Sequence, residues 1–208
     1  MLNYPAYAAE LEHLLDIDQK VWKSFWEEYY SQQGTTAFKT EFKKVRRTQQ
    51  NRSKRMLQIL DAINQPSISN IGVGGAKAMS LIALHDSLNV LKRVLNAFVA
   101  HYERDKNNTY FQAIPSMVDR VKLLERKPQI FATQWDIDKI SGRFLPTVED
   151  FEHVNEKRAE YGIEPLHWPK SLAIPESEQP WLNRPLSELV MRDITDDEFI
   201  ERYQDYLI

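Results

Sequence analysis

The segment from Val118 to Gln134 carries several polar side chains in a part of the chain that otherwise has the apolar pattern of a protein core. Carboxylate, guanidinium, amide and hydroxyl groups that enter a core need hydrogen-bond partners, because an unpaired buried polar group costs free energy. Those partners are either a bound polar ligand or the groups themselves. The polar residues that we single out as candidates are Asp119, Arg120, Gln129, Thr133 and Gln134.

A histidine with acid–base capacity precedes this segment, on a predicted helix that is apolar around much of its circumference. His85 borders the apolar side, where a partly buried imidazole can act as acid, base or ligand near neutral pH. We predict His85 and Asp119 as catalytic residues, with Asp119 orienting the His85 ring. A single histidine on an apolar helix is, however, more often a hydrogen-bonded structural residue, and this alternative stays open.

The remaining polar residues have the groups that recognise a polar or anionic ligand. A guanidinium binds carboxylate or phosphate bidentately, whereas amide and hydroxyl groups donate and accept single hydrogen bonds. The rival interpretation is a buried polar network that fixes an extended segment to the helices, and the sequence does not decide between the two. The predicted ligand-binding residues are Arg120, Gln129, Thr133, Gln134 and Arg158.

Composition limits the class of protein. With 208 residues, of which 42% are hydrophobic and 27% charged, the chain has enough apolar side chains for one domain with an appendage. The absence of cysteine excludes disulfides and thiolate chemistry. Without an apolar run of membrane-spanning length or a signal peptide, we expect a cytoplasmic protein that does not contact the membrane. The five histidines have no metal-binding spacing, so we predict no metal site, and no particular cofactor is indicated.

Apolar residues recur at helical spacing along most of the chain, which predicts a mainly α-helical bundle. We predict a first helix that opens at Asn3 and Pro5 and ends near Gly34, and a second that Pro66 stops. Further helices are predicted at about 76–101, from about 113, and at 147–161. In the helix at about 76–101, a row of polar side chains is expected along one side: His85, Asn89, Lys92 and Asn96.

Two regions depart from the helical pattern. Residues 129–135 predict a short extended or β segment lying across the bundle. Residues 167–208 are rich in proline and acidic towards the end, and we predict an arm with a terminal helix. The chain is thus divided into a helical domain at 1–166 and an arm at 167–208, which docks on the body, on a protein partner or on a second copy.

Two weaker patterns have ordinary structural explanations. The basic stretch from Lys39 to Arg55 is interpreted as a solvated helix face, and we do not expect nucleic-acid binding. The glycines between Gly72 and Gly75 lack the preceding strand and the lysine-serine ending of a phosphate-binding loop. We interpret them as a flexible entry to the third helix.

A set of short motifs in chain order gives the sequence a family resemblance. They are Ser69-Asn-Ile-Gly72, Ile82-Ala-Leu-His85-Asp86, Asp119-Arg120-Val121, Gln129-Ile-Phe-Ala-Thr-Gln134, Pro146-Thr-Val-Glu-Asp150, Val154-Asn-Glu-Lys-Arg158 and Gly162-Ile-Glu-Pro165-Leu166. The chain resembles an uncharacterised bacterial family known as a domain of unknown function. That family's pattern has a histidine in the central helix, an Asp-Arg pair and a Gln-x-Tyr-Gly-Thr-Gln segment.

The resemblance covers roughly residues 66–166 and, more loosely, Asp18-Gln19. Phe131-Ala132 replaces the Tyr-Gly of the family segment, so no tyrosine hydroxyl is expected there. The resemblance points to residues rather than to a reaction. From the residues we predict a protein that binds, or acts enzymatically on, a small polar or anionic ligand in a His/Asp/Arg/Gln pocket. The alternative is a non-enzymatic protein-interaction or regulatory module in which the polar cluster is structural.

Overall fold

The structure, a computed structural model, is mainly helical, and this confirms the predicted fold class. It describes residues 3–32, 36–134, 136–138, 142–144 and 148–166. Residues 1–166, predicted as one domain, divide between Phe111 and Gln112 into two compact units, which we call unit 1 and unit 2 and describe separately. The predicted arm at 167–208 lies outside the described residues.

Unit 1 contains four long helices. They are α1 (Tyr4–Gln32), α2 (Thr36–Ile63), α3 (Ile68–Leu84) and α4 (Leu88–Arg104), followed by a 3-10 turn at Lys106–Asn108. Helix α1 packs along both α2 and α3. As predicted, Asn3 begins α1, since its side-chain oxygen accepts a hydrogen bond from the N–H of Ala6 at 3.3 Å.

The buried side of α2 includes polar residues at core positions. The spacing of four and three residues places one stripe of the helix against the rest of unit 1. The interpretation of the basic stretch as a solvated face is right for Arg47 and Lys54, which are exposed, but wrong for Arg52, which is buried. The stripe consists of Val45, Gln49, Arg52, Met56, Ile59 and Ile63, all of them buried.

The prediction of a single helix at about 76–101 is wrong, because α3 ends at Leu84 and α4 begins at Leu88. The side chain of Asp86 accepts a hydrogen bond from the N–H of Ser87, which gives the backbone an alternative to the helical bond. His85 is therefore the C-cap of α3 and is not on one helix with the other members of the predicted row, which lie on α4: Asn89, Lys92 and Asn96.

The glycine segment lies inside α3, so its interpretation as a flexible helix entry is also wrong. The helix begins after Ser67, whose hydroxyl accepts from the N–H of Asn70 at 3.2 Å, and it kinks at Gly72. A side chain at Gly75 would place its Cβ 3.4 Å from the Cα of Ala8 and 3.1 Å from the Cβ of Ile71. Gly75 thus permits the close approach of α1 to α3.

We predict that Gly75→Val destabilises the protein by roughly 1–3 kcal/mol, because a branched side chain has no space against the α1 backbone. Gly74→Ala is the matched control. Its Cβ would meet the end of the Glu12 side chain, which can move aside, and alanine favours helix by about 1 kcal/mol over glycine. Urea unfolding would measure both changes, and equal stability of Gly75→Val and the parent would contradict the packing argument.

Unit 2 contains α5 (Ala113–Leu124), a pair of short antiparallel strands, β1 (Asp136–Asp138) and β2 (Gly142–Phe144), and α6 (Val154–Glu160). The expected extended segment is a loop at 129–134, with one parallel bridge between Gln129 and Val148. Helix α6 is shorter than predicted, because Asp150 pairs with His153 and Lys157 instead of capping a longer helix. Gly162, at φ 60°, ends α6 as predicted.

Candidate functional site

The Asp119 carboxylate of α5 is buried, and four hydrogen-bond donors of the 129–134 loop surround it. Its Oδ1 accepts from the N–H of Ile130 at 2.8 Å and of Phe131 at 3.0 Å. Its Oδ2 accepts from both the N–H and the hydroxyl of Thr133, each at 2.8 Å. Burial raises the pKa of Asp119 above its ordinary value, and the four donors oppose that shift.

Arg158 of α6 holds the carbonyl side of the same loop. Its Nη1 donates to the carbonyl of Phe131 at 2.7 Å and lies 3.4 Å from that of Ala132, while its Nε donates to the carbonyl of Glu164 at 2.7 Å. Burial lowers the pKa of Arg158, and the charge of Asp119 opposes this effect. Ala132 has a φ of 53°, in the left-handed region, so the chain reverses sharply between the two charged groups.

The two glutamines close the loop at its base. Gln129 is buried; its Oε1 accepts from the N–H of Gln134 at 2.8 Å, and its Nε2 donates to the carbonyl of Gln134 at 3.1 Å. The Nε2 of Gln134 donates to the carbonyl of Ser116 on α5 at 3.3 Å. Arg120 lies half-buried on α5. The structure therefore brings together Asp119, Gln129, Thr133, Gln134 and Arg158, which we call the Asp119 network.

We predict that Asp119→Asn destabilises the protein by at least about 2 kcal/mol, because an amide NH₂ would face the donors of Thr133 and leave buried groups unpaired. Thermal or urea unfolding would measure the loss. Asp105→Asn is the control, since the Asp105 side chain is exposed in unit 1 and its loss should change the free energy of unfolding by no more than about 0.5 kcal/mol. Equal stability of Asp119→Asn and the parent would show that the loop does not depend on this carboxylate.

His85 lies in unit 1, in a second polar cluster. Its Nδ1 is 2.6 Å from the Oδ2 of Asp18, a buried carboxylate on α1. The Oδ1 of Asp18 accepts from the Nη2 of Arg52 at 2.8 Å. We call these three residues the Asp18 cluster. Our prediction that Asp119 orients the His85 ring is corrected here, because Asp18 takes that role.

The geometry of the Asp18 cluster determines which nitrogen of the His85 imidazole donates a hydrogen bond and which accepts one. Since Nδ1 faces a carboxylate that is also paired with Arg52, Nδ1 carries a proton and donates it, and in the neutral ring Nε2 is the acceptor. The His85 side chain is 26% exposed, whereas that of Asp18 is 0% exposed. The His85 ring also packs at a tilt against Trp22, with 5.7 Å between the ring centroids.

Unit 1 also holds buried donors that have no hydrogen-bond partner among the described residues. They include the Nε and Nη1 atoms of Arg52 and the Nε2 atom of Gln49. Arg52 is 3% and Gln49 1% exposed, so bulk water does not solvate these groups. We did not predict Asp18, Gln49 or Arg52 as site residues. The available signal was the helical stripe of α2, in which Gln49 and Arg52 occupy positions that the spacing assigns to the core.

Among the described residues, no group of three histidine or acidic side chains could hold a metal ion, and no helix is long and apolar enough to cross a membrane. Comparison of the chain with models of known protein families, with curated proteins and with solved structures gave no match. The resemblance to the bacterial family therefore stays a prediction, and the functional argument depends on the two polar clusters.

Proposed function

We propose that the protein binds a small polar or anionic ligand at the Asp18 cluster, either as a binding protein or as an enzyme. The observation that supports this proposal is that Nε and Nη1 of Arg52 are buried and have no hydrogen-bond partner in the described part of the chain. An unsatisfied buried donor costs roughly 1–3 kcal/mol, and a ligand oxygen that accepts from it would recover that cost. Arg52 thus favours a ligand with acceptor oxygens.

The arrangement of Arg52 leaves it able to bind such a ligand without releasing Asp18. Asp18 uses Nη2, whereas the two donors that have no partner are on different nitrogens of the same guanidinium. Each of these two nitrogens can donate a charge-assisted hydrogen bond to an oxygen of a carboxylate or phosphate. The ligand class that we propose is accordingly a small molecule with a carboxylate or phosphate group.

His85 would give the same site acid–base capacity. Asp18 fixes the ring through Nδ1, while Nε2 is available to exchange a proton with a ligand hydroxyl or a water molecule. This arrangement supports an enzyme in which His85 transfers the proton and Asp18 positions it. A binding protein would use Nε2 as a hydrogen-bond acceptor.

The alternative is a protein-interaction or regulatory module without a small ligand. One observation favours it: both Asp119 oxygens and the hydrogen-bonding groups of Gln129 are satisfied by the loop of unit 2 itself. The cluster that we predicted as a pocket then has a structural role. In this alternative the chain would contact a protein partner or a second copy through residues 167–208.

Arg52→Lys separates the two proposals, because lysine keeps the charge opposite Asp18 but removes Nε and Nη1. We expect phosphate or a simple carboxylate such as citrate to raise the melting temperature of the parent, and Arg52→Lys to weaken binding about tenfold or more, or 1.4 kcal/mol. Calorimetric titration would measure the affinities.

Arg47→Lys, an exposed change on the same helix, is the matched control and should bind as the parent does. If no anion stabilises the parent, or if Arg52→Lys binds these anions with both the affinity and the number of sites of the parent, the ligand proposal fails and the interaction module is favoured.

A further inference from the structure

A groove runs along α2 beside the turn between α3 and α4. Its volume is about 460 Å³, within the range of small-molecule sites. Most of the residues that line it are polar or charged, and Leu57 and Val90 are apolar. His85, Asp18 and Arg52 do not line it, so the groove is distinct from the Asp18 cluster.

The carboxylates in the groove already have partners. Asp86 accepts from the Ser53 hydroxyl and from the N–H of Ser87, and Asp61 pairs with Arg93. Lys54 also lines the groove, is exposed, and makes no hydrogen bond or ion pair with the described residues. The groove therefore has a cation whose charge no neighbouring carboxylate matches.

Gln49 adds a buried donor to the same wall. Its Oε1 accepts from the Nη1 of Arg46 at 3.4 Å, and this contact assigns the other end of the amide to Nε2. Nε2 is buried and has no hydrogen-bond partner among the residues that the structure describes. The donor is separate from those of Arg52, so it is independent evidence for an acceptor that the protein itself does not supply.

We propose that this groove is a second binding site, for a small organic anion with a carboxylate or phosphate group. Nε2 of Gln49 and the ammonium of Lys54 would donate to the anionic oxygens, and Leu57 and Val90 would contact the carbon body. The proposal is independent of a ligand at the Asp18 cluster, because it uses neither Arg52 nor His85.

The test uses inorganic phosphate and phenyl phosphate as probes of the full chain, with binding followed by calorimetry and by ¹H–¹⁵N NMR of the Gln49 side-chain amide. We expect phenyl phosphate to bind more tightly than phosphate and to shift that amide. Gln49→Met replaces an unpaired buried donor by an apolar group of similar size, so it should leave the melting temperature equal or higher while binding falls about tenfold or more.

The controls separate this site from the Asp18 cluster. Asn51→Met, an exposed change on α2 outside the groove, and Arg52→Lys should both retain phenyl phosphate binding, whereas Lys54→Gln should weaken it severalfold. Unchanged binding by Gln49→Met, or an Arg52→Lys variant that loses phenyl phosphate, would overturn the assignment. Equal affinity for phosphate and phenyl phosphate would overturn the assignment to an organic anion.

Discussion

Unit 1 depends on the burial of one charge, the carboxylate of Asp18. A buried carboxylate is tolerated only when it is paired and hydrogen-bonded, and here Arg52 of α2 and His85 at the end of α3 provide one partner for each oxygen. The carboxylate therefore fixes α1 relative to α2 and to the turn after α3. Loss of either partner would leave an incompletely paired charge in the core. The contacts of Asp18 therefore constrain α1, α2 and the turn after α3 together.

The two buried carboxylates are paired in different ways, and the difference distinguishes a structural network from a cluster that could bind a ligand. Asp119 of α5 accepts from four donors of the 129–134 loop, so its hydrogen-bonding capacity is used within unit 2. Asp18 accepts from side chains that keep further capacity, namely the other nitrogens of Arg52 and Nε2 of His85. A saturated network stabilises one conformation of a loop, whereas an unsaturated one offers donors and acceptors to a ligand.

Helical periodicity predicted the fold class, because apolar spacing reports burial directly, and the stop at Pro66 and the start near 113 agree with the end of α2 and the beginning of α5. It missed the break after Leu84, which depends on a local side-chain bond of Asp86. The members of the Asp119 network were predicted as a set, since polar residues in an apolar segment need partners. Their pairing, and that of His85 with Asp18 at a separation of 67 residues, depends on tertiary packing that spacing does not contain.

The sequence separations of the two clusters have a kinetic consequence. The loop donors of Asp119 lie 11 to 14 residues from it, whereas the partners of Asp18 lie 34 and 67 residues away. Short loops close at a lower entropic cost, and contacts between distant residues form slowly. Folding of unit 2 can therefore complete its network locally. During synthesis, by contrast, the pairing of Asp18 on α1 stays incomplete until His85 has emerged from the ribosome, after Arg52.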